Sequence, residues 1–244
     1  MQKLVSLGMI GCLGALAAAG AAPGKRVVVW SEGTAPKSVY PDDINTAVSQ
    51  GLVSLKGWDV ATASLDDPEQ GLTPESLERT DVLLWWGHQR HGQVSDDLVA
   101  RVVKRVKDEG MGFIALHSSH FCKPLKQLLG TPCSFGAYLG DSRTLRLSVK
   151  DGKHPIAAGV QDFEIPHSER YSEPFAVPTP EAIVFDGLYT LNNGETDAGH
   201  QVLVWTIGKG KVIYVQAGHE TNPTYFDENI RRILRNAVQF AAPR

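Results

Sequence analysis

Short apolar runs alternate with amphipathic stretches through the first half of the chain. Val27 to Trp30, opened by Arg26, is a β-branched and aromatic run, the pattern of a strand buried on both faces. Pro41-Asp42-Asp43 follows, with proline suited to a first helical position and early carboxylates to the positive end of the helix dipole. Ile44, Val48, Leu52 and Leu55 then recur at helical spacing as far as Gly57. Trp58 to Ser64 alternates as a second strand, Thr73-Pro74-Glu75 opens a second helix, and Asp81 to Trp86 is a third apolar run. Ser95 caps the most regular helix, in which Leu98, Val99, Val102, Val103 and Val106 form a stripe opposite Arg101, Lys104, Arg105, Lys107 and Asp108. Gly110 closes it, and Met111 to Leu116 is a fourth apolar strand. This alternation predicts a mostly parallel sheet with helices on both faces.

The pattern changes in the second half. Strands are predicted at Thr144 to Val149, Ala182 to Phe185, Gln201 to Thr206 and Lys211 to Gln216, with no long helix between them. Gly208-Lys209-Gly210 reads as a tight hairpin turn, and the stretch around Ser168 to Glu173 as little regular structure. A last helix is predicted from Phe226 to Phe240, with Ile230, Ile233, Leu234, Ala237 and Val238 on one face. The sum is one α/β domain over residues 25–244 with a C-terminal antiparallel extension.

Before Lys25 the pattern is of another kind. Lys3 precedes an apolar run from Leu4 to Ala19, and Ala19-Gly20-Ala21 offers small residues for cleavage, so residues 1–22 are expected to be a signal peptide. The run is short for a bilayer span, so an exported, periplasmic or secreted protein without a stable membrane span is expected. Met9-Ile10-Gly11-Cys12 faintly resembles a lipoprotein box, which makes anchoring at Cys12 the alternative. Cleavage would remove Lys3 and move the formal net charge from −3 to −4. Charge this balanced argues against nucleic acid as a partner. Cys122 and Cys133 would remain, either as a disulfide or as two core thiols.

Composition adds one unusual figure, eight histidines, and their placement gives it meaning. In a doubly wound sheet, ligands bind beyond the carboxyl ends of the strands. His88 and His91 follow the third predicted strand, His117 and His120 the fourth, and His219 with Glu220 the last. Histidine titrates near neutral pH and is the commonest metal ligand, so this clustering marks a candidate site. His91 is expected to be the more solvent-facing of its pair. Glu169 and Glu173, four apart, either pair with Arg170 or Arg143, or complete a metal site, or serve as general base. His154 is read as structural. Trp30-Ser31-Glu32-Gly33 stands where a dinucleotide-binding fold would carry its glycine fingerprint, so no nucleotide cofactor is expected. No phosphate loop and no Gly-x-Ser-x-Gly elbow occur.

Several segments taken in order resemble a known family. They are Trp85-Trp86-Gly87-His88-x-x-His91, Ala115-Leu116-His117-Ser118-Ser119-His120, Lys123-Pro124, Leu129-Gly130-Thr131-x-Cys133, His154-Pro155-Ile156, Glu169-x-Tyr171-x-Glu173 and Gly218-His219-Glu220-x-x-Pro223-x-Tyr225. Together they look like the trehalose-utilisation (ThuA-like) family. The resemblance implies a flavodoxin-like three-layer sandwich of the class I glutamine amidotransferase-like kind. Amidotransferases carry a cysteine nucleophile after a strand and a late His-x-Glu pair. Here His117 stands at the corresponding strand end and His219-Glu220 are adjacent, so thiolate glutamine hydrolysis is not supported. The chain departs from the family pattern at Ser168, where a second carboxylate is usual, and at Ala137-Tyr138-Leu139-Gly140, where Trp-Arg-Glu is usual.

The resemblance implies catabolism of trehalose-like disaccharides, or of sugars oxidised at C3 by a partner dehydrogenase, by elimination, hydration or hydrolysis. On that reading His219, oriented by Glu220, and His117 are the expected catalytic groups. His88 and Glu169, with His117 or His219, are the expected ligands of one divalent metal, zinc or manganese. Trp86, His120, Tyr171 and Glu173 are expected to contact the sugar. Two rivals remain open: a non-catalytic sugar-binding domain, and an assembly module that uses the last helix as its contact surface.

Overall fold

A computed structural model describes residues 24–243. The leader read at 1–22 and the Cys12 box lie outside the described residues. One nine-stranded sheet forms the centre, in the order β2-β1-β3-β4-β9-β8-β7-β5-β6. Its parallel half contains β1 (Lys25–Ser31), β2 (Trp58–Ser64), β3 (Val82–Trp86), β4 (Gly112–Leu116) and β9 (Gly210–Val215). Its antiparallel half contains β5 (Tyr138–Val149), β6 (Phe163–Tyr171), β7 (Ala182–Thr190) and β8 (Thr196–Ile207). The helices are α1 (Asp43–Leu52), α2 (Pro74–Glu78), α3 (Asp96–Glu109), α4 (Lys123–Leu129) and α5 (Glu228–Ala241). The parallel half has the 2-1-3-4-5 order of flavodoxin-like folds, with β9 in the fifth place. Among the described residues no helix is long and apolar enough to cross a membrane.

The strands of the parallel half divide their side chains between two cores, as a period of two requires. Val27, Val29, Val82, Leu84, Trp86, Ile114, Leu116, Ile213 and Val215 pack with Ile44, Val48 and Leu52 of α1 and with Ile230, Ile233, Leu234 and Val238 of α5. Val28, Trp30, Leu83, Trp85, Phe113, Val212 and Tyr214 pack on the other face with Leu98, Val99 and Val102 of α3 and with Leu125 and Leu128 of α4. Helix ends follow the sequence signals in most cases. Ser95 accepts a hydrogen bond from the Leu98 N–H, and Gly110 closes α3 with a left-handed backbone at φ 84°. Asp227 caps α5 by accepting from Asn229 and Ile230. In α1 the helix starts at Asp43 rather than Pro41 and stops at Leu52, while Leu55 is buried beyond its end.

One expectation is corrected by the sheet, and one left open is decided by the core. Ser168 to Tyr171 belong to the edge strand β6, paired antiparallel with β5. The run escaped the pattern because its apolar residues, Phe163 and Ile165, sit at one end, while Ser168, Glu169 and Arg170 are buried polar residues at the other. Cys122 and Cys133 are both free thiols, buried in the α3–α4 core. Cys122 caps α4, its Sγ accepting from the Leu125 N–H. Burial raises both thiols above the ordinary range, so neither is a ready nucleophile.

Candidate active site

The chain leaves the parallel half after α4, builds β5 to β8, and returns as β9 beside β4. That route brings the end of the edge strand β6 over the carboxyl ends of β3, β4 and β9. A cleft of about 440 Å³ opens there, lined by His88, His91, Ser118, Phe121, Tyr138, Glu169, Tyr171, His219 and Thr221. A larger cavity of about 1160 Å³ lies beside α5, around Lys25, His154 and Phe240, and holds none of these groups.

Glu169 is the hub of the cleft. Its side chain is buried, it accepts hydrogen bonds from the Tyr171 hydroxyl at 2.7 Å and the Tyr138 hydroxyl at 2.8 Å, and His117 Nε2 lies 2.8 Å from it. His219 Nε2 lies 3.3 Å from the oxygen that accepts from Tyr138. Burial by itself opposes ionisation and is the largest single influence on this carboxyl. The His117 hydrogen bond and charge, the Tyr171 hydroxyl and the nearby His219 together outweigh it and hold the pKa at about 2. Burial next to that carboxylate raises the Tyr171 hydroxyl, which stays a firm donor.

His117 stands at the end of β4 with a left-handed backbone, φ 48°, an unusual conformation for a residue with a Cβ. Its Nδ1 lies 2.6 Å from the Gln216 carbonyl oxygen. A carbonyl only accepts, so Nδ1 carries a proton, and a neutral ring then turns a lone pair on Nε2 toward the Glu169 oxygen. Two lone pairs facing each other need a cation between them, either a second proton on the ring or a metal ion. A histidine whose Nδ1–H is fixed by a backbone carbonyl is the usual arrangement for a metal-ligating Nε2. Gln216 is itself braced, with its side-chain oxygen accepting from Gln201 and Tyr189 and its amide donating to the Tyr171 carbonyl.

The remaining groups come from the loops after β3 and β9. His88 Nδ1 lies 2.8 Å from the Ser118 hydroxyl and 3.3 Å from Glu220 Oε2. The same Glu220 oxygen, buried and without a hydrogen bond among the described residues, is 3.4 Å from His219 Nε2. His219 Nδ1 accepts from the Thr221 backbone N–H at 3.2 Å and lies 2.6 Å from the Thr221 hydroxyl, so a neutral ring carries its proton on Nε2, facing Glu169 and Glu220; an ion held through Nε2 would move that proton to Nδ1, where the Thr221 hydroxyl can accept it. Burial lowers the His219 pKa, and repulsion from His117 lowers it further, against the opposing pull of Glu169 and Glu220. His117, Glu169 and His219 place one ligand atom each within 4.8 Å of one another, as do His88, His219 and Glu220.

Local sequence explains how these loops are held. Glu32, buried at the end of β1, accepts from the backbone N–H groups of Gln89 and Arg90 and so ties down the loop that carries His88. Gly218 has φ 138°, and a Cβ there would lie 2.0 Å from the Tyr225 hydroxyl. Only glycine lets that buried ring pack under the turn that presents His219.

The trehalose-utilisation (ThuA) family profile matches residues 26–241. The chain belongs to the ThuA family. A ThuA-like protein from Parabacteroides merdae superposes with TM-score 0.65 at 13% identity, covering 90% of each chain. A second, from Bacteroides uniformis, gives 0.61 at 17% identity over 92% of this chain and 94% of that one. A glutamine amidotransferase from Thermotoga maritima gives 0.56 at 11% identity over 89% and 97%. These identities establish the shared fold: an α/β sandwich of the ThuA and glutamine amidotransferase-like kind. No curated protein matches the chain.

Within this ThuA fold the nine residues singled out from sequence separate into three groups. His88, His117, Glu169, Tyr171, His219 and Glu220 converge as described. Trp86 and His120 stand close behind the cleft but are fully buried. Trp86 packs in the α1–α5 core and donates to the Gly218 carbonyl. His120 sits among Phe121, Phe135 and Tyr171, where burial pushes its pKa down to about 3. Neither lines the cleft. Glu173 lies apart, accepting from the Phe175 and His200 N–H groups. Arg170 pairs with Asp197 and not with either carboxylate of its own segment. His91 is not the solvent-facing partner expected, since its Nε2 is buried and burial lowers its pKa. Sequence reading missed Ser118, Tyr138, Thr221 and Gln216. The strand-end rule would have found Ser118 and Thr221, Tyr138 was marked only by the departure from the family pattern at Ala137-Tyr138-Leu139-Gly140, and nothing local marks Gln216.

Proposed function

We propose that this ThuA-family protein acts on trehalose-like disaccharides oxidised at C3, in carbohydrate catabolism outside the cytoplasm, by cation-assisted acid–base chemistry. The family supplies the link to trehalose utilisation. The observation that carries the chemistry is the meeting of His117 Nε2 with Glu169 at 2.8 Å while His117 Nδ1 is committed to a carbonyl. That donor set fits a divalent metal such as zinc or manganese, with His117, Glu169 and His219 as its ligands. When bound, the ion would supply Lewis-acid polarisation of a substrate carbonyl.

Proton transfer then falls to His88. The Glu220 carboxylate and the Ser118 hydroxyl both face its Nδ1, which favours a proton there and leaves Nε2 as the base. A 3-keto group acidifies the C2–H. His88 takes that proton, the C–H electrons form the C1–C2 double bond, and the C1–O glycosidic bond breaks. The leaving oxygen takes the proton back from the imidazolium, which the Glu220 carboxylate stabilises at 3.3 Å meanwhile. His117, with both ring nitrogens occupied and no exposure, does not touch substrate. This moves it from the proton-transfer role expected from sequence to holding Glu169 and the ion. Turnover of 3-keto-trehalose tests the reading, with loss expected in His88→Ala and in His219→Ala. Unchanged turnover in both variants would refute it, and sugar binding without turnover in the wild type would favour the binding-domain alternative.

A further inference from the structure

Two aromatic rings line the cleft beside the acid–base groups. Phe121 is 41% exposed and Tyr138 is 65% exposed, and both line the same cleft as Glu169 and His219. The other exposed large apolar side chains among the described residues, Val53, Leu188 and Phe226, do not line it. Phe121 is held by two neighbours: the His120 ring lies 4.0 Å away and Lys126 Nζ sits 4.8 Å from its centroid. Tyr138 is anchored through its hydroxyl on Glu169 and has the Tyr171 ring 6.1 Å away. The rings are thus fixed with apolar surface open to water, beside a floor of histidines and carboxylates.

A pyranose ring is amphipathic in the same sense. Its axial C–H bonds make an apolar face, and its equatorial hydroxyls make a polar rim. We propose that Phe121 and Tyr138 form a stacking subsite for a pyranose ring, setting selectivity for cyclic sugars over open-chain polyols. Stacking on these rings leaves the hydroxyl rim facing Glu169, His88 and His219. Aromatic side chains supply such contact area at low entropic cost because few torsions must be fixed. Phe121 and Tyr138 stand in segments that differ in kind. Phe121 ends the turn after β4, whereas Tyr138 opens β5, at the place where this chain departs from the family's usual Trp-Arg-Glu. The subsite rests on the reading of the cleft as a sugar site, and deepens it.

The test uses unoxidised trehalose as the ligand and sorbitol as the open-chain control, with affinity read by titration calorimetry on full-length protein. The wild type is expected to bind trehalose and to bind sorbitol at least tenfold more weakly. Phe121→Ala and Tyr138→Ala are expected to weaken trehalose binding tenfold or more, while Phe121→Trp and Tyr138→Phe retain it because the ring is kept. With 3-keto-trehalose, Phe121→Ala is expected to raise KM and leave kcat within twofold. Trehalose affinity unchanged in both alanine variants, each shown folded by circular dichroism, would overturn the subsite and leave the acid–base reading intact. Weakened trehalose binding in those variants alongside a wild type that turns over no 3-keto sugar would support the subsite and overturn the acid–base reading. A wild type that binds sorbitol as well as trehalose, or neither, would also overturn the subsite.

Discussion

Replacing Glu169 by glutamine removes one charge from the centre of the cluster and keeps its shape. The carboxyl is held at about 2 against an ordinary value of 4.5. That gap means the folded chain favours the ionised form by about 3 kcal/mol relative to the unfolded chain. The sign follows from the depression. The contribution is fully present above the unfolded value, declines as pH falls below about 4.5, and is largely gone near pH 2. Glu169→Gln lacks it at every pH, and turns an amide toward the Tyr138 and Tyr171 hydroxyls, which already act as donors. Urea unfolding of both proteins in the presence of a chelator should therefore show a stability gap of about 3 kcal/mol at pH 7 that narrows steadily below pH 4.5. Other acid-sensitive groups, His120 among them, are common to both proteins and cancel in the difference. Equal midpoints at pH 7, or a gap that stays constant down to pH 3, would refute the reasoning that places Glu169 as an ionised hub.

Other consequences can be checked one by one. Gly218→Ala should lower the melting temperature by many degrees and abolish turnover, because its Cβ would meet the Tyr225 hydroxyl at 2.0 Å and Tyr225 is fully buried; thermal unfolding with a melting point near wild type would contradict this. Cys122 and Cys133 should resist a thiol reagent in native buffer and react with two equivalents in denaturant, since both are free and buried. Rapid native labelling of either would show that the α3–α4 core opens. Trp86→Phe should cost on the order of 1 kcal/mol in urea unfolding, through lost packing and the lost bond to Gly218, with KM unchanged; a KM effect without a stability effect would return Trp86 to the cleft wall.

The parallel half of the fold was legible because its strands are buried on both faces and its helices carry single apolar stripes. Val82 to Trp86 and the α3 stripe each state their element without help from the rest of the chain. The edge strand β6 was not legible, because Glu169 and Arg170 are charged residues buried by partners distant in sequence, Tyr138 and Asp197 among them. The site followed the same division. The strand-end rule located His88, His117 and His219, whose places depend on short loops. It could not separate His117, which faces Glu169, from His120, three residues on, which turns into an aromatic core. That distinction is made by the φ 48° backbone at His117 and by the course of β6, and neither is encoded locally.

The central claim is that His117, Glu169 and His219 hold a divalent cation while His88 moves protons. Metal content after loading with zinc or manganese and desalting tests it most directly. About one equivalent is predicted for the wild type and for His88→Ala, and less than a tenth of that for Glu169→Gln and His219→Ala. No retained metal in the wild type, or full retention in Glu169→Gln and His219→Ala, would contradict it.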